Sequence, residues 1–184
     1  MKIKVLALSL AVSASLFVGC APKETPAPAP AEPPAAETTA PEAAADVVTT
    51  ASVVTDEASL LNAVSKDGTW IVVLTEDFTT DKELVLEGVF TNKDQPARKL
   101  ALYAQDADRN KTATYTLTAP KLVVKSENAR IQGGTFVGDV YVEANGFSVV
   151  DAVVEGNVYF ASEEFKSTFK TENEGKVTGV TEVK

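Results

Sequence analysis

Residues 121–138, 139–156 and 157–165 read KLVVKSENARIQGGTFVG, DVYVEANGFSVVDAVVEG and NVYFASEEF, and like falls on like when they are laid in blocks of 18. Leu122, Val140 and Val158 form one column, and Val124, Val142 and Phe160 form the next. Ala129, Phe147 and Phe165 form a third, while Gly138 falls over Gly156 and, with one inserted residue, over Gly175. The register slips at Ser167, which follows Ile131 and Val149, and Phe169 is the candidate for that inward position. Internal periods decide architecture before local propensity does. A period near 18 with several short strands per repeat suits a parallel β-helix, in which neighbouring coils lie ~4.8 Å apart and inward columns become stacks of aliphatic side chains.

Local signals agree. The stretch TDEASLLNAVSKDG, residues 55–68, predicts a helix with Thr55 or Asp56 as cap, an apolar face of Leu60, Leu61 and Val64, and Gly68 as its stop. After it come short β-rich runs, from TWIVVLTEDF through KELVLEGVF, KLALYAQ and TYTLTAPKLVVK to NVYFASEEF, punctuated by Asn, Gly and Asp. The reading is all-β with one leading helix. A coil stack exposes unpaired backbone and an apolar end, and the helix lies where an N-terminal cap belongs.

Composition divides the chain into three zones. Residues 1–19 open with Met1-Lys2-Ile3-Lys4 and run apolar from Val5 to Val18, the form of an export signal and short of the ~20 residues of a membrane span. Residues 20–46 contain seven of the nine prolines and no large apolar side chain, so they cannot offset the entropy of ordering and form a disordered, semi-stiff spacer reaching at most ~80 Å. Residues 47–184 form the folded domain, with 14 basic and 21 acidic side chains. An acidic domain without a basic stripe argues against nucleic acid.

Three resemblances follow from particular stretches. LFVGC, ending at the sole cysteine, resembles the lipobox of bacterial lipoproteins, although Phe17 stands where leucine is usual. That resemblance implies a diacylglyceryl thioether on Cys20, loss of residues 1–19, and anchoring to a bacterial membrane at the cell surface or outer membrane. ASLLNAVSKDGTWIVVLTEDFTTDKELVLEG, residues 58–88, resembles the opening of right-handed β-helix proteins of the pectate-lyase-like superfold. It implies a single-stranded right-handed parallel β-helix with an N-terminal capping α-helix. VEGNVYF and EGKVTGV resemble coils of bactofilins, which implies a self-assembling scaffold as an alternative.

Chemistry narrows the functional classes. The sequence has no histidine, which removes the commonest general base, Ser/His/Asp schemes and imidazole zinc sites. The domain therefore reads as a binding or structural surface module, with no cofactor and no catalytic residue, and a small carbohydrate-active enzyme is the runner-up. Asp106, Asp108 and Asn110 have the alternate spacing of a calcium loop, but Lys111 and Leu117 occupy the places of its glycine and glutamate, so a polar turn is expected. Alternation around Val140 and Val142 places Asp139, Tyr141 and Glu143 outward, with Asn157, Tyr159 and Ala161 one coil up and Lys121, Val123 and Lys125 one coil down. A Tyr141–Tyr159 stack beside Asp139 and Glu143 is a candidate surface for a cell-wall or extracellular glycan. The competing account is that the tyrosines, with Lys121/Asp139 and Lys125/Glu143 pairs, stabilise the stack.

Overall fold

The computed structural model describes residues 51–184. The signal segment, Cys20, the whole 20–46 spacer and residues 47–50 therefore lie outside the described residues. What is described is a parallel β-solenoid of three faces. The first face stacks six strands, Ala51–Val54, Ile71–Leu74, Arg98–Ala101, Ala129–Gln132, Ser148–Val150 and Lys170–Glu172. The second holds Phe78–Thr79, then 116–118 and 135–137, then Val153–Glu155 and Lys176–Val177. The third holds Leu84–Leu86, then 121–124 and 139–142, then Val158–Phe160 and Thr181–Val183. Every pairing within these faces is parallel.

The columns of the third face are those of the repeat. Leu84, Leu122, Val140 and Val158 stand in register, as do Leu86, Val124, Val142 and Phe160, and all eight are at most 1% exposed. Burying each such side chain contributes roughly 1.5–3 kcal/mol, so the columns outweigh any surface pair in holding the stack. On the first face the matching column is Val72, Leu100, Ile131 and Val149. It ends in Thr171, and the third-face column through Val158 ends in Thr181, while the column through Phe160 ends in Val183.

The period breaks where the chain inserts structure at corners. A hairpin pairing Thr91–Asn92 with Gln95–Pro96 separates the third face from the first. A second, pairing Tyr103–Gln105 with Lys111–Thr114, separates the first face from the second. Leu84 consequently meets Leu122 and not a residue 18 places on. A short helix, Glu163–Ser167, capped by Ser162, fills the corner before the last strand of the first face.

That helix corrects two assignments made from the spacing. Lys170 pairs with Ser148, so Phe169, not Phe165, follows Phe147. The two rings are stacked with centroids 5.8 Å apart, and Phe165 packs partly buried against the core from the helix. Phe169 does not occupy the Ile131/Val149 position, which passes to Thr171. The glycine column is likewise displaced: Gly179 N–H donates to Gly156 O at 3.0 Å, so Gly179 succeeds Gly138 and Gly156 while Gly175 lies elsewhere. Side chains are excluded along this column because a Cβ on Gly156 would lie 2.0 Å from Gly138 O.

The leading helix is shorter than the predicted 55–68. It spans Glu57–Val64, and Asp56 and Ser59 form a capping box. Its buried face is Leu60, Ala63 and Val64, whereas Leu61 is 37% exposed. The helix ends at an extended Ser65, and Gly68 does not supply a left-handed stop. Gly68 is needed for close approach, since a Cβ there would meet Ala63 O. The helix packs on Ala51–Val54, Ile71–Leu74 and Leu84–Leu86, which places it at the N-terminal side of the stack.

Carbonyls at its C-terminal end find partners, as a buried helix end requires. Asn62 O accepts from Ser65 N–H and Val64 O from Glu87 N–H. Ala63 O and Ser65 O accept from Arg98 Nη2 at 2.7 and 2.9 Å, and Thr69 O accepts from Nη1. The helix has no basic residue in its own last turn, so Arg98 brings the favourable cation from a strand one coil away.

Candidate functional site

The tyrosine ladder forms as the alternation requires. Tyr141 and Tyr159 are paired in register, with ring centroids 5.0 Å apart and planes tilted by 48°. The column of outward side chains is Val85, Val123, Tyr141, Tyr159 and Glu182. Lysines close both ends of the aromatic pair: Lys121 Nζ lies 5.0 Å from the Tyr141 centroid and Lys184 Nζ lies 3.5 Å from that of Tyr159. A hydrogen bond with Tyr159 raises the Lys184 pKa. Tyr159 is only 8% exposed. Each ring thus has the other ring on one side and a lysine ammonium near it.

The flanking charges pair differently from the register-based expectation. Asp139 is opposite Lys121, but its carboxylate accepts from the backbone N–H and Nδ2 of Asn157, both at 2.9 Å. Lys121 turns the other way, to Glu83 at 2.7 Å, and this bond raises its pKa. Among the described residues neither Lys121/Asp139 nor Lys125/Glu143 forms an ion pair, and Glu143 and Lys125 are both exposed. A side chain in a parallel stack has neighbours above and below, and register alone does not say which it takes.

Asp106, Asp108 and Asn110 lie at the tip of the Tyr103–Thr114 hairpin. The Asp106 carboxylate accepts from Asn110 N–H at 2.8 Å and Nδ2 at 3.0 Å, which lowers its pKa and closes the turn. Arg109 adopts φ 67° there. Among the described residues no three acidic or cysteine side chains gather as a metal cage.

A second constellation has no counterpart in the 18-residue reading. Lys99, Arg130, Ser148 and Lys170 follow one another on the outward side of the first face. Lys99 Nζ lies 5.8 Å from the Trp70 ring centroid and 5.6 Å from that of Tyr103, and donates to Tyr103 Oη at 3.3 Å. Burial, and then the Arg130 charge, push the Lys99 pKa down to about 8. Beside Arg130, Ser148 and Lys170 runs a groove of about 570 Å³, with Asn128, Asn145, Gly146, Ser167, Thr168 and Glu172 completing its walls, and Lys99 lies outside it. The sequence hides this column because the 103–114 hairpin separates Lys99 from Arg130 and the second helix separates Ser148 from Lys170. The only signal available was three cations on strands that alternate in and out.

No protein-family model, curated protein or solved structure matches the chain. The architecture and its side-chain geometry therefore carry the functional argument alone.

Proposed function

We propose that this chain is a bacterial cell-envelope lipoprotein that displays its solenoid as a binding or structural surface module. The observation that carries this reading is that the inward columns fill the core with aliphatic and aromatic side chains, while the outward positions hold mixed charged, polar and aromatic side chains stacked at regular spacing. Six strands at ~4.8 Å make a stiff prism roughly 24 Å long, suited to holding an extended ligand or a fixed spacing. A proline-rich spacer behind Cys20 would set such a prism away from the membrane. The pectate-lyase-like resemblance of residues 58–88 belongs to the same reading, as a shared shape and not a shared reaction.

The test is anchoring. Expressed with its own leader, the full chain should partition into the detergent phase, and Cys20→Ala should leave it uncut or release it. Recovery of the wild-type chain in the aqueous phase refutes the lipoprotein reading.

A further inference from the structure

Two lysines on the strands of the solenoid are answered by acids, Lys121 by Glu83 and Lys111 by Asp151, each at 2.7 Å. Lys99 is not. Its register partner on one side is Ile71 and on the other Arg130, and among the described residues no carboxylate lies within ion-pair distance of it. Asp151, which acts on the neighbouring Tyr103, is already held by Lys111. Trp70 and Tyr103 wall the amine, with ring centroids 5.8 and 5.6 Å from Nζ. Their faces favour an ammonium, but near the ~6 Å limit of that attraction they do so weakly. Burial and then the Arg130 charge outweigh them, and the Lys99 pKa falls to about 8. At pH 7 such an amine is about one-tenth neutral, against less than about one part in a thousand for an ordinary lysine. A lysine desolvated beside a second cation is the arrangement that makes its amine a nucleophile.

We infer that Lys99 is a covalent capture site for a small 2-oxo acid, which it holds as an imine while Arg130 grips the carboxylate. The inference goes beyond the reading of the domain as an envelope module and does not depend on the anchor. Two groups define the ligand class. The amine calls for a carbonyl carbon, and the guanidinium, with no acid of its own, calls for a carboxylate, which it takes by two parallel hydrogen bonds. In a 2-oxo acid these are bonded neighbours, so one small molecule reaches both side chains across adjacent coils ~4.8 Å apart. The step needs no oxidant or reductant. Neutral Nζ attacks the carbonyl carbon, a C–N bond forms, and the carbonyl oxygen gains a proton that Tyr103 Oη, 3.3 Å from Nζ, is placed to relay. Burial raises the Tyr103 pKa, so that hydroxyl keeps its proton at neutral pH. The nitrogen lone pair then forms C=N as the oxygen leaves with a second proton as water. Capture removes one of two like charges and sets an anion beside the other.

The experiment traps the imine by reduction. The full chain, purified in detergent, is incubated with pyruvate and cyanoborohydride at pH 7, and digestion with mass spectrometry reports which lysines carry a carboxyethyl group. Lys99 should be labelled at least about tenfold faster than Lys82, exposed beside Asp81, and that preference should shrink as pH rises past about 8. In urea the preference should vanish, because it belongs to the fold. Propionaldehyde, a carbonyl compound without the acid, reports the amine alone, and the wild-type preference for Lys99 should be smaller with it than with pyruvate. Arg130→Gln should lower the pyruvate-to-propionaldehyde ratio at Lys99 about tenfold, the loss of one charge-assisted contact, and Arg130→Lys should restore part of it. Equal labelling of Lys99 and Lys82, or a preference that survives urea, overturns the site. A wild-type preference no greater for pyruvate than for propionaldehyde, or a ratio unchanged in Arg130→Gln, overturns the 2-oxo acid as its ligand.

Discussion

Replacing Arg98 by methionine tests how the leading helix is fastened to the coils. Arg98 is 1% exposed, lies over the Phe90 ring at 4.3 Å, and faces carbonyls with no carboxylate bonded to it. Burial alone pushes its pKa down to about 10, far enough above neutrality that it stays charged. Two effects oppose each other. Taking a guanidinium out of water costs several kcal/mol, and Nε is left without a partner. Against this, three hydrogen bonds from a charged donor contribute ~1.5–3 kcal/mol each.

Methionine keeps the stem volume and removes the desolvation cost, but it orphans the carbonyls of Ala63 and Thr69 and takes one partner from Ser65. A buried acceptor without a partner costs ~1–3 kcal/mol, so the variant should lose roughly 2–4 kcal/mol. For a domain of this size that lowers the melting temperature by roughly 6–16 °C. Circular dichroism melts give the total, and hydrogen exchange gives the place: amides of 60–64 should lose protection while those of 136–160 keep theirs. If Arg98→Met melts at or above wild type, desolvation outweighs the carbonyl bonds, and the helix is held by Leu60, Ala63 and Val64 alone.

Three further outcomes are expected. Val142→Asp puts an unpaired carboxylate between Val124 and Phe160, where the site is 1% exposed, and should cost several kcal/mol, whereas Glu143→Lys on the exposed side should cost roughly 0.5 kcal/mol or less; melts showing the reverse order refute the register. Gly156→Ala drives a Cβ into Gly138 O and should destabilise by about 1–3 kcal/mol, while an unchanged melt would show that the coils can part there. The native Lys99 pKa, near 8, lies below its unfolded value of 10.5, so the native state releases that proton first and stability should rise between about pH 8 and 10. Tyr103, whose pKa is raised, opposes the trend only above about pH 10, and a pH titration of Lys99→Met that rises as steeply as wild type would remove the assignment.

The third face was legible because nothing interrupts it between Lys121 and Phe160. There each coil is 18 residues, and the two inward columns came out residue by residue. Legibility ends where corners accept extra chain. A loop at a solenoid corner can lengthen without disturbing the columns, since it adds surface and not core. Thus Leu84 found its partner only after two hairpins, and the place assigned to Phe165 fell to Phe169 once the short helix was inserted. The leading helix was visible from Asp56 and its apolar spacing, but its true end was not. That end is fixed by Arg98, a residue far along the chain whose partners are backbone carbonyls that no side-chain pattern reports.

The two outward surfaces contrast on the same physical ground. On the third face Lys121, Tyr141, Tyr159 and Lys184 satisfy one another, Glu83 holds Lys121, and Asp139 is spent on Asn157. Such a ladder lowers its own energy whether or not a ligand is present. On the first face Lys99 and Arg130 face each other across adjacent coils, and burial together with the Arg130 charge lowers the Lys99 pKa to about 8. A surface whose side chains answer one another and a surface where like charges meet thus sit on two sides of one stack. Register brings like charges together on one face and lets opposite and aromatic groups meet on another, so the repeat alone does not fix how an outward column settles its charges.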